Sequence, residues 1–187
     1  HGADDPVFEF NKQIIDATRD LAVAYKPNVA FYESLGSAGW EALEKTVSYL
    51  KEDKNLFTIA DAKRGDNGNT TSMYVRAFFD TLDFHSVTVS PYLGSQAIEP
   101  YLHHEGKYAI VLAITSNESA SDFQTLNTGK DELFKEVLRK ISALGTPNNL
   151  MFVVGATRAD MLQQVREIVP ENFLLVPGVG AQGGSLE

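Results

Sequence analysis

The sequence predicts an α/β fold, and more specifically a (β/α)8 TIM barrel, from three observations. Short runs rich in apolar, β-branched and aromatic residues alternate with helix-like segments along the whole chain. The runs are almost entirely apolar, which is typical of parallel strands that are covered on both faces. Polar or charged residues follow the runs directly, and active sites of such barrels lie at the C-terminal ends of the strands.

Six of these runs are candidate strands, and they lie at residues 21–25, 56–60, 86–90, 109–114, 150–154 and 173–176. Apolar residues at three- and four-residue spacing predict helices between them, within residues 40–50, 133–144 and 161–168. No glycine-rich dinucleotide fingerprint follows the first run, so a barrel is favoured over an open doubly wound sheet. A full barrel has eight strands, whereas six runs are visible here. We therefore expect residues 1–187 to form a single β/α-barrel domain in which the first and last strands are absent.

Composition excludes several classes of protein. The chain has 187 residues, 43% of them hydrophobic, which is enough for one domain with a core. A net charge of −9 argues against a general nucleic-acid binder, because phosphate neutralisation needs clustered basic residues. Since no apolar run is long enough to span a membrane and no secretory signal is visible, we expect a cytoplasmic protein without membrane contact. The sequence has no cysteine, which fits this location and rules out thiolate metal sites.

The densest chemical signal is the segment Asp61-Ala62-Lys63-Arg64-Gly65-Asp66, directly after the second apolar run. Residues two apart on a strand point to the same side, so Asp61 and Lys63 are predicted to face the barrel mouth together. A lysine beside carboxylates keeps its proton, which suits a proton donor. The alternative is a solvated, charged turn.

Two further segments follow strands. Lys26 comes directly after the first run, where a neighbouring parallel strand would place it beside Asp61; the alternative is a surface lysine whose stem packs on apolar neighbours. Residues 177–184 contain four glycines and follow the last run. Glycine-rich backbone can present its N–H groups to an anion, and barrels commonly bind phosphate after strands seven and eight. A flexible turn is the alternative there.

Together these motifs resemble the orotidine 5'-monophosphate decarboxylase family. The resemblance rests on Asp61-x-Lys63-x-x-Asp66, on Asn69-Thr70 and on residues 177–184; residues 8–12, 24–28 and 152–157 are similar to its longer bacterial branch. It implies a homodimeric (β/α)8 barrel with active sites shared at the subunit interface. The implied activity is cofactor-free decarboxylation of orotidine 5'-monophosphate (orotidylate) to uridine 5'-monophosphate (UMP), a step of de novo pyrimidine biosynthesis.

The resemblance also implies a catalytic role for four charged residues. Lys63 would protonate C6 of the pyrimidine, and Asp61 would lie near the departing carboxylate. Lys26 would hold Asp61 and contact the ribose. Asp66 would enter the active site of the neighbouring subunit.

The substrate-binding residues that the resemblance implies are Thr70, Ser116, Pro177, Gln182 and Gly183. Thr70 would reach the ribose across the subunit interface, and Ser116 resembles the family's pyrimidine-binding serine. Gln182 and the backbone of Gly183 would contact the phosphate. No metal site is expected.

Two other functions fit the same motifs. A related barrel that acts on a sugar phosphate, such as a hexulose-phosphate synthase or a keto-gulonate-phosphate decarboxylase, resembles this chain in the D-x-K-x-x-D string but uses a magnesium ion. Activity that survives a chelator would favour orotidylate over these substrates. A catalytically inactive nucleotide-binding barrel would bind UMP but leave orotidylate unchanged.

Overall fold

A computed structural model describes residues 5–179, and its strands form one parallel sheet in the order β1-β2-β3-β4-β5-β6. Each strand pairs with the next one along the chain. The strands are β1 (Ala24–Tyr25), β2 (Phe57–Arg64), β3 (Ser86–Val89), β4 (Tyr108–Ile114), β5 (Leu150–Val154) and β6 (Leu174–Leu175).

Helices connect the strands. The α-helices are α1 (Pro6–Thr18), α2 (Val29–Glu33), α3 (Ser37–Leu50), α4 (Gly68–Val75), α5 (Leu133–Ser142) and α6 (Ala159–Ile168). A π-helical turn (Arg76–Thr81) continues α4, and short 3-10 turns lie at Ser95–Ala97, Glu99–His103, Glu118–Asp122 and Ala156–Arg158. Within the described residues 5–179, no helix is long and apolar enough to cross a membrane.

The strand order distinguishes between the two sheets that the sequence allowed. A doubly wound sheet reverses its strand order at a switch point, whereas the described strands run in sequence order without reversal. Sequential parallel pairing is the arrangement of a barrel wall. The prediction of a parallel α/β sheet is therefore confirmed, and closure into an eight-stranded barrel stays a prediction.

The apolar strands bury both of their faces, as predicted. Val87 and Val89 on β3 belong to the large cluster that packs the sheet against the helices. Ile59, Ile110 and Val153, from three different strands, form a separate cluster on the other face of the sheet. A closed barrel would enclose this second layer in its interior.

Strand bounds differ from the sequence prediction by more than one residue in total in three strands, β1, β2 and β6. The first and last strands contain only two residues each, because β1 and β6 are the edges of the described sheet and pair on one side only. Strand β2 continues to Arg64, beyond the apolar run that ends at Ala60. The charged residues Asp61 and Lys63 are therefore part of this strand and do not follow it.

The three predicted helices are present as α3, α5 and α6. Apolar spacing did not indicate α1, although its start carries a clear local signal. Asp5 caps the helix by accepting a hydrogen bond from the Phe8 N–H at 3.1 Å, and Pro6 occupies the first turn. Helix α1 packs on α3.

Candidate active site

One cavity of about 570 Å³ opens at the C-terminal ends of the strands. Every strand of the described sheet contributes to its wall, either directly or through the segment that follows. The lining residues are Lys26, Asn28, Asp61, Lys63, Thr88, Leu112, Thr115, Ser116, Asn117, Gln124, Val153, Leu175 and Pro177. The wall therefore combines a charged side, a polar loop and an apolar floor, which is typical of a site for a small polar molecule.

This cavity brings together five of the predicted site residues, namely Lys26, Asp61, Lys63, Ser116 and Pro177. Asp66 and Thr70 are also described but are not part of its wall. Gln182 and Gly183 lie outside the described residues.

The charged side of the cavity is a carboxylate held between two ammonium groups. Lys26 Nζ lies 2.6 Å from Asp61 Oδ2, and Lys63 Nζ lies 2.5 Å from Asp61 Oδ1. The Asp61 side chain is 9% exposed, whereas that of Lys63 is 52% exposed. Asp61 is thus fixed inside the wall, and the ammonium of Lys63 remains accessible from the cavity.

Pairing between β1 and β2 explains the first of these contacts. The ladder of Ala24–Tyr25 with β2 continues past the end of β1 as a bridge between Asn28 and Asp61. The Asp61 N–H donates to the Pro27 carbonyl oxygen at 3.0 Å. The prediction that a neighbouring strand would place Lys26 beside Asp61 is confirmed.

The second contact arises differently from the sequence prediction. Simple strand periodicity would put Asp61 and Lys63 on one side, but the register between β2 and β3 shifts between Ala60 and Arg64. Lys63 has a φ of 48°, in the left-handed region that non-glycine residues rarely occupy. A β-bulge, and not a regular strand, therefore turns Lys63 towards the carboxylate.

The loop after the bulge depends on close backbone approach. A Cβ atom at Gly65 would lie 2.8 Å from the Ser90 carbonyl oxygen, so no larger residue fits without displacing the backbone directly after β3. The Ser90 N–H donates to the Arg64 carbonyl oxygen at 2.7 Å, which keeps the two segments together. Gly65 therefore lets the chain leave the sheet immediately after the charged residues.

Burial and the two lysines act in opposite directions on Asp61. Burial alone raises the pKa of its carboxyl group, but the hydrogen bonds from Lys26 and Lys63 outweigh burial and lower this pKa below its ordinary value of 3.8. Asp61 is therefore ionised at neutral pH. The cavity carries a triad with one negative and two positive charges.

The polar side of the cavity is the loop that follows β4. A Cβ atom at Gly155 would lie 2.5 Å from the Ser116 N atom, so glycine is required where β5 passes this loop. Gln124 fixes the loop from within: its Oε1 accepts from the Thr115 N–H at 2.8 Å, and its Nε2 donates to Thr115 Oγ1 at 2.9 Å. The close approach of Gly155 and the hydrogen bonds of Thr115 thus position Ser116 at the cavity wall.

Sequence reasoning missed Thr88 and Gln124. Thr88 lies inside a strand predicted only as an apolar run, and its hydroxyl carried no spacing signal. Gln124 lies in an irregular segment well beyond Ser116, where no periodicity links the two. Both were found only from the contacts in the folded chain.

Asp66 and Thr70 lie at the start of α4. The Asp66 side chain accepts from the Asn67 N–H at 2.8 Å, and its carbonyl oxygen accepts from Thr71 Oγ1 at 2.6 Å. These bonds fix Asp66 at the first turn of the helix. Thr70 is exposed, so its side chain is free to contact another molecule.

The charge triad predicts an acid-dependent loss of stability. Because the pKa of Asp61 is lowered in the folded protein, its contribution is present above the unfolded pKa and is lost as pH falls through the folded pKa. In Asp61→Asn the two ammonium groups lose their counter-charge. We expect the free energy of unfolding at pH 7 to fall by about 1–3 kcal/mol.

Urea titrations between pH 7 and about pH 3 measure the gap between the free energies of unfolding of wild type and Asp61→Asn. The gap should be full near neutrality and should shrink at the acid end. Asp20→Asn, which changes an exposed carboxylate, serves as the control and should show no comparable gap. A gap for Asp61→Asn that is independent of pH would contradict the assignment.

The fold and the cavity define a class, namely parallel α/β proteins with a lysine–aspartate–lysine array at the C-terminal ends of their strands. A family model described as "Orotidine 5'-phosphate decarboxylase / HUMPS family" matches residues 2–187. The chain belongs to this family.

Similar proteins and structures carry the same family name. The chain is 60% identical to the orotidine 5'-phosphate decarboxylase of Christiangramia forsetii and 59% identical to that of Flavobacterium johnsoniae. Each match covers 98% of this chain, and 68% and 67% of the two relatives. The structure of Leishmania donovani OMP decarboxylase superposes with a TM-score of 0.88 at 36% identity, over 92% of this chain and 68% of that one.

A longer protein contains the same fold. The structure of Leishmania donovani UMP synthase superposes with a TM-score of 0.91 at 39% identity. The match covers 96% of this chain but 40% of the synthase chain.

Proposed function

We propose that the protein decarboxylates orotidine 5'-monophosphate to UMP in pyrimidine biosynthesis, acting as a carboxy-lyase without a cofactor. The observation that carries this proposal is the Asp61 carboxylate held between Lys26 and Lys63, with the Lys63 ammonium accessible from a cavity of nucleotide-compatible size. The names of relatives at 53–60% identity support the choice of substrate.

The chemistry requires a fixed positive charge at one carbon atom. When the bond between C6 and the carboxylate breaks, carbon dioxide leaves and the electron pair remains on C6. The Lys63 ammonium stabilises this pair electrostatically and then transfers a proton from Nζ to C6, which gives UMP. Because the Lys63 side chain is half exposed, water can restore its proton.

The other residues orient the charges and the substrate. Asp61 holds the Lys63 ammonium, and Lys26 holds Asp61 from the opposite side. In this proposal Asp61 lies near the departing carboxylate. In this proposal Ser116 binds the pyrimidine and Pro177 contributes to the wall near the ribose phosphate. Binding energy from these remote contacts would serve to align C6 with Lys63.

Gln182 and Gly183 complete the proposed substrate site at the phosphate. We assign all of these functions to a single β/α-barrel domain, for which the family model's match to residues 2–187 is the support. The proposed location is the cytoplasm, which a sequence without cysteine fits.

The proposal includes a homodimer with composite sites. Asp66 and Thr70 lie at the start of α4, outside the cavity wall of their own chain. Met73 on α4 and Tyr92 and Leu93 after β3 are 57%, 82% and 51% exposed, although all three are apolar or aromatic. Exposed apolar and aromatic side chains of this kind are typical of a surface that a second subunit covers.

The sugar-phosphate alternative fits the charge triad less well. A magnesium ion needs carboxylate or other oxygen ligands, whereas both oxygens of Asp61 already accept from ammonium groups. Among the His, Asp and Glu side chains that the structure describes, no three are grouped closely enough to hold a metal ion. A carboxylate whose two oxygens are both occupied in this way favours a substrate that needs no magnesium ion, such as orotidylate.

The experiment is an absorbance assay of orotidylate with the full-length protein, that is, the polypeptide at the length of its relatives. We expect orotidylate to be consumed at the same rate with and without EDTA. Hexulose phosphate and keto-gulonate phosphate, each supplied with magnesium, serve as comparison substrates. Turnover of either sugar phosphate without turnover of orotidylate would contradict the proposal, and UMP binding without any turnover would indicate an inactive barrel.

A further inference from the structure

We propose that Thr88 is a positioning residue, whose hydroxyl group holds the bulge of β2 in the shape that aims Lys63 and Asp61 at the substrate. This inference rests on the proposed function and adds a residue outside the charged motif. The Thr88 side chain is 1% exposed and reaches the cavity from the neighbouring strand β3.

The bulge leaves backbone groups of β2 without their regular partners. Ile59 and Ala60 pair with Ser86 and Val87, and pairing resumes only at Arg64 with Val89. The intervening residues are displaced from the ladder. Buried N–H groups in such a segment need other acceptors, because an unpaired buried donor is strongly unfavourable.

The Thr88 hydroxyl supplies the missing acceptor. Its Oγ1 accepts from the Ala62 N–H at 3.0 Å and from the Lys63 N–H at 2.9 Å. A hydroxyl oxygen has two acceptor positions, so both are used for consecutive residues of the bulge. One of these two residues is Lys63, whose backbone has the unfavourable positive φ.

The same hydroxyl also orients the carboxylate. Thr88 Oγ1 lies 3.2 Å from Asp61 Oδ1, the oxygen that also accepts from Lys63 Nζ at 2.5 Å, and 3.4 Å from the Ala60 carbonyl oxygen. Its one proton is therefore donated within β2, with the Asp61 carboxylate as the nearer acceptor. All three hydrogen-bonding positions of one hydroxyl group therefore serve the triad and its backbone. Loss of this group would release the Lys63 backbone and the Asp61 carboxylate together.

The test compares variants of Thr88 in the full-length protein. Thr88→Val removes the hydroxyl but keeps the shape, whereas Thr88→Ser keeps the hydroxyl. We expect Thr88→Val to lower kcat by about a hundredfold, the order of loss that follows from a small misplacement of a catalytic group. Thr88→Ser should retain kcat within about threefold, and UMP affinity should change little in either variant, since Thr88 acts on the chemistry and not on binding.

Thr58→Val is the matched control. Thr58 is fully buried on β2, and its hydroxyl accepts from the His85 N–H at 3.0 Å near the other end of the same strand pair. The Thr58→Val substitution removes a buried threonine hydroxyl, as Thr88→Val does, but at a position away from the cavity. Its kcat should remain near the wild-type value even if its melting temperature falls as far as that of Thr88→Val.

Amide hydrogen exchange supplies a readout that does not depend on turnover. The N–H groups of Ala62 and Lys63 should lose protection in Thr88→Val and keep it in Thr88→Ser and Thr58→Val. If Thr88→Val does not fold, Thr88→Ser and Thr88→Ala form the comparison, since they differ only in the hydroxyl. Unchanged kcat and unchanged protection in the variant without the hydroxyl would overturn the positioning role, whereas lack of turnover by wild type would overturn the proposed function instead.

Discussion

Replacement of Lys63 by alanine is expected to reduce turnover of orotidylate at least about a thousandfold, while UMP still binds. The change removes both the charge that stabilises the electron pair on C6 and the proton donor, and each effect is typically worth on the order of a hundredfold or more. Because UMP has no carboxylate at C6 and gains no such charge, its affinity should depend much less on Lys63.

The matched control is Lys54→Ala. Lys54 is an exposed lysine that precedes the start of β2, so it tests the loss of one positive charge from the same region of sequence without touching the cavity. Full activity is expected for this variant. Retention of more than about a tenth of the wild-type activity by Lys63→Ala would remove Lys63 from the central role.

The second large effect is recovery of activity when two inactive variants are mixed. In the proposed dimer, each active site takes Lys63 from one chain and Asp66 from the other. A heterodimer of Lys63→Ala and Asp66→Ala subunits then has one site with both changes and one intact site. Random exchange makes half of the dimers hybrid, so about a quarter of the wild-type activity should return.

Mixing Lys63→Ala with Lys26→Ala provides the control. Lys26 and Lys63 contact the same Asp61 within one chain, so every site in this second heterodimer keeps one defect. No activity should return in that mixture. Failure of the first mixture as well, with heterodimers proven by mass spectrometry, would reject the cross-subunit assignment of Asp66 and leave the triad unaffected.

Much of the sheet could be predicted from the sequence because its signals are local. Apolar runs such as residues 86–90 and 150–154 give buried parallel strands with little dependence on their surroundings. The two-residue strands β1 and β6 show the limit of this reasoning. Strand length depends on which partners pair on each side, and that information does not lie within the run itself.

The sequence predicts which charged residues form the site but not how they are arranged in space. Neighbouring parallel strands bring Lys26 beside Asp61, which follows from strand order alone. The contact between Asp61 and Lys63 depends instead on a bulge with a positive φ at a lysine, which residue spacing does not reveal. The stabilising partner, Thr88, comes from another strand and is visible only when the two strands are aligned.

The polar loop illustrates a further limit. Ser116 was predicted from its resemblance to the family's pyrimidine-binding serine, whereas Gln124 reaches the Thr115 backbone from an irregular segment that carries no periodic pattern. Contacts of this kind between a side chain and a distant backbone group are determined by the folded path of the loop. No propensity or spacing rule predicts them.

Exchange of the C6 hydrogen of UMP tests the central claim most directly, namely that Lys63 transfers its proton to C6. After Lys63 has donated its proton to C6, its side chain is a neutral amine. By microscopic reversibility, this amine is the base that removes the C6 hydrogen in the reverse reaction. With UMP deuterated at C6, the full-length protein in ordinary water should replace deuterium by hydrogen, as followed by NMR, and Lys63→Ala should lose this exchange while it still binds UMP. Exchange by Lys63→Ala at the wild-type rate would contradict the assignment of Lys63 as the proton donor.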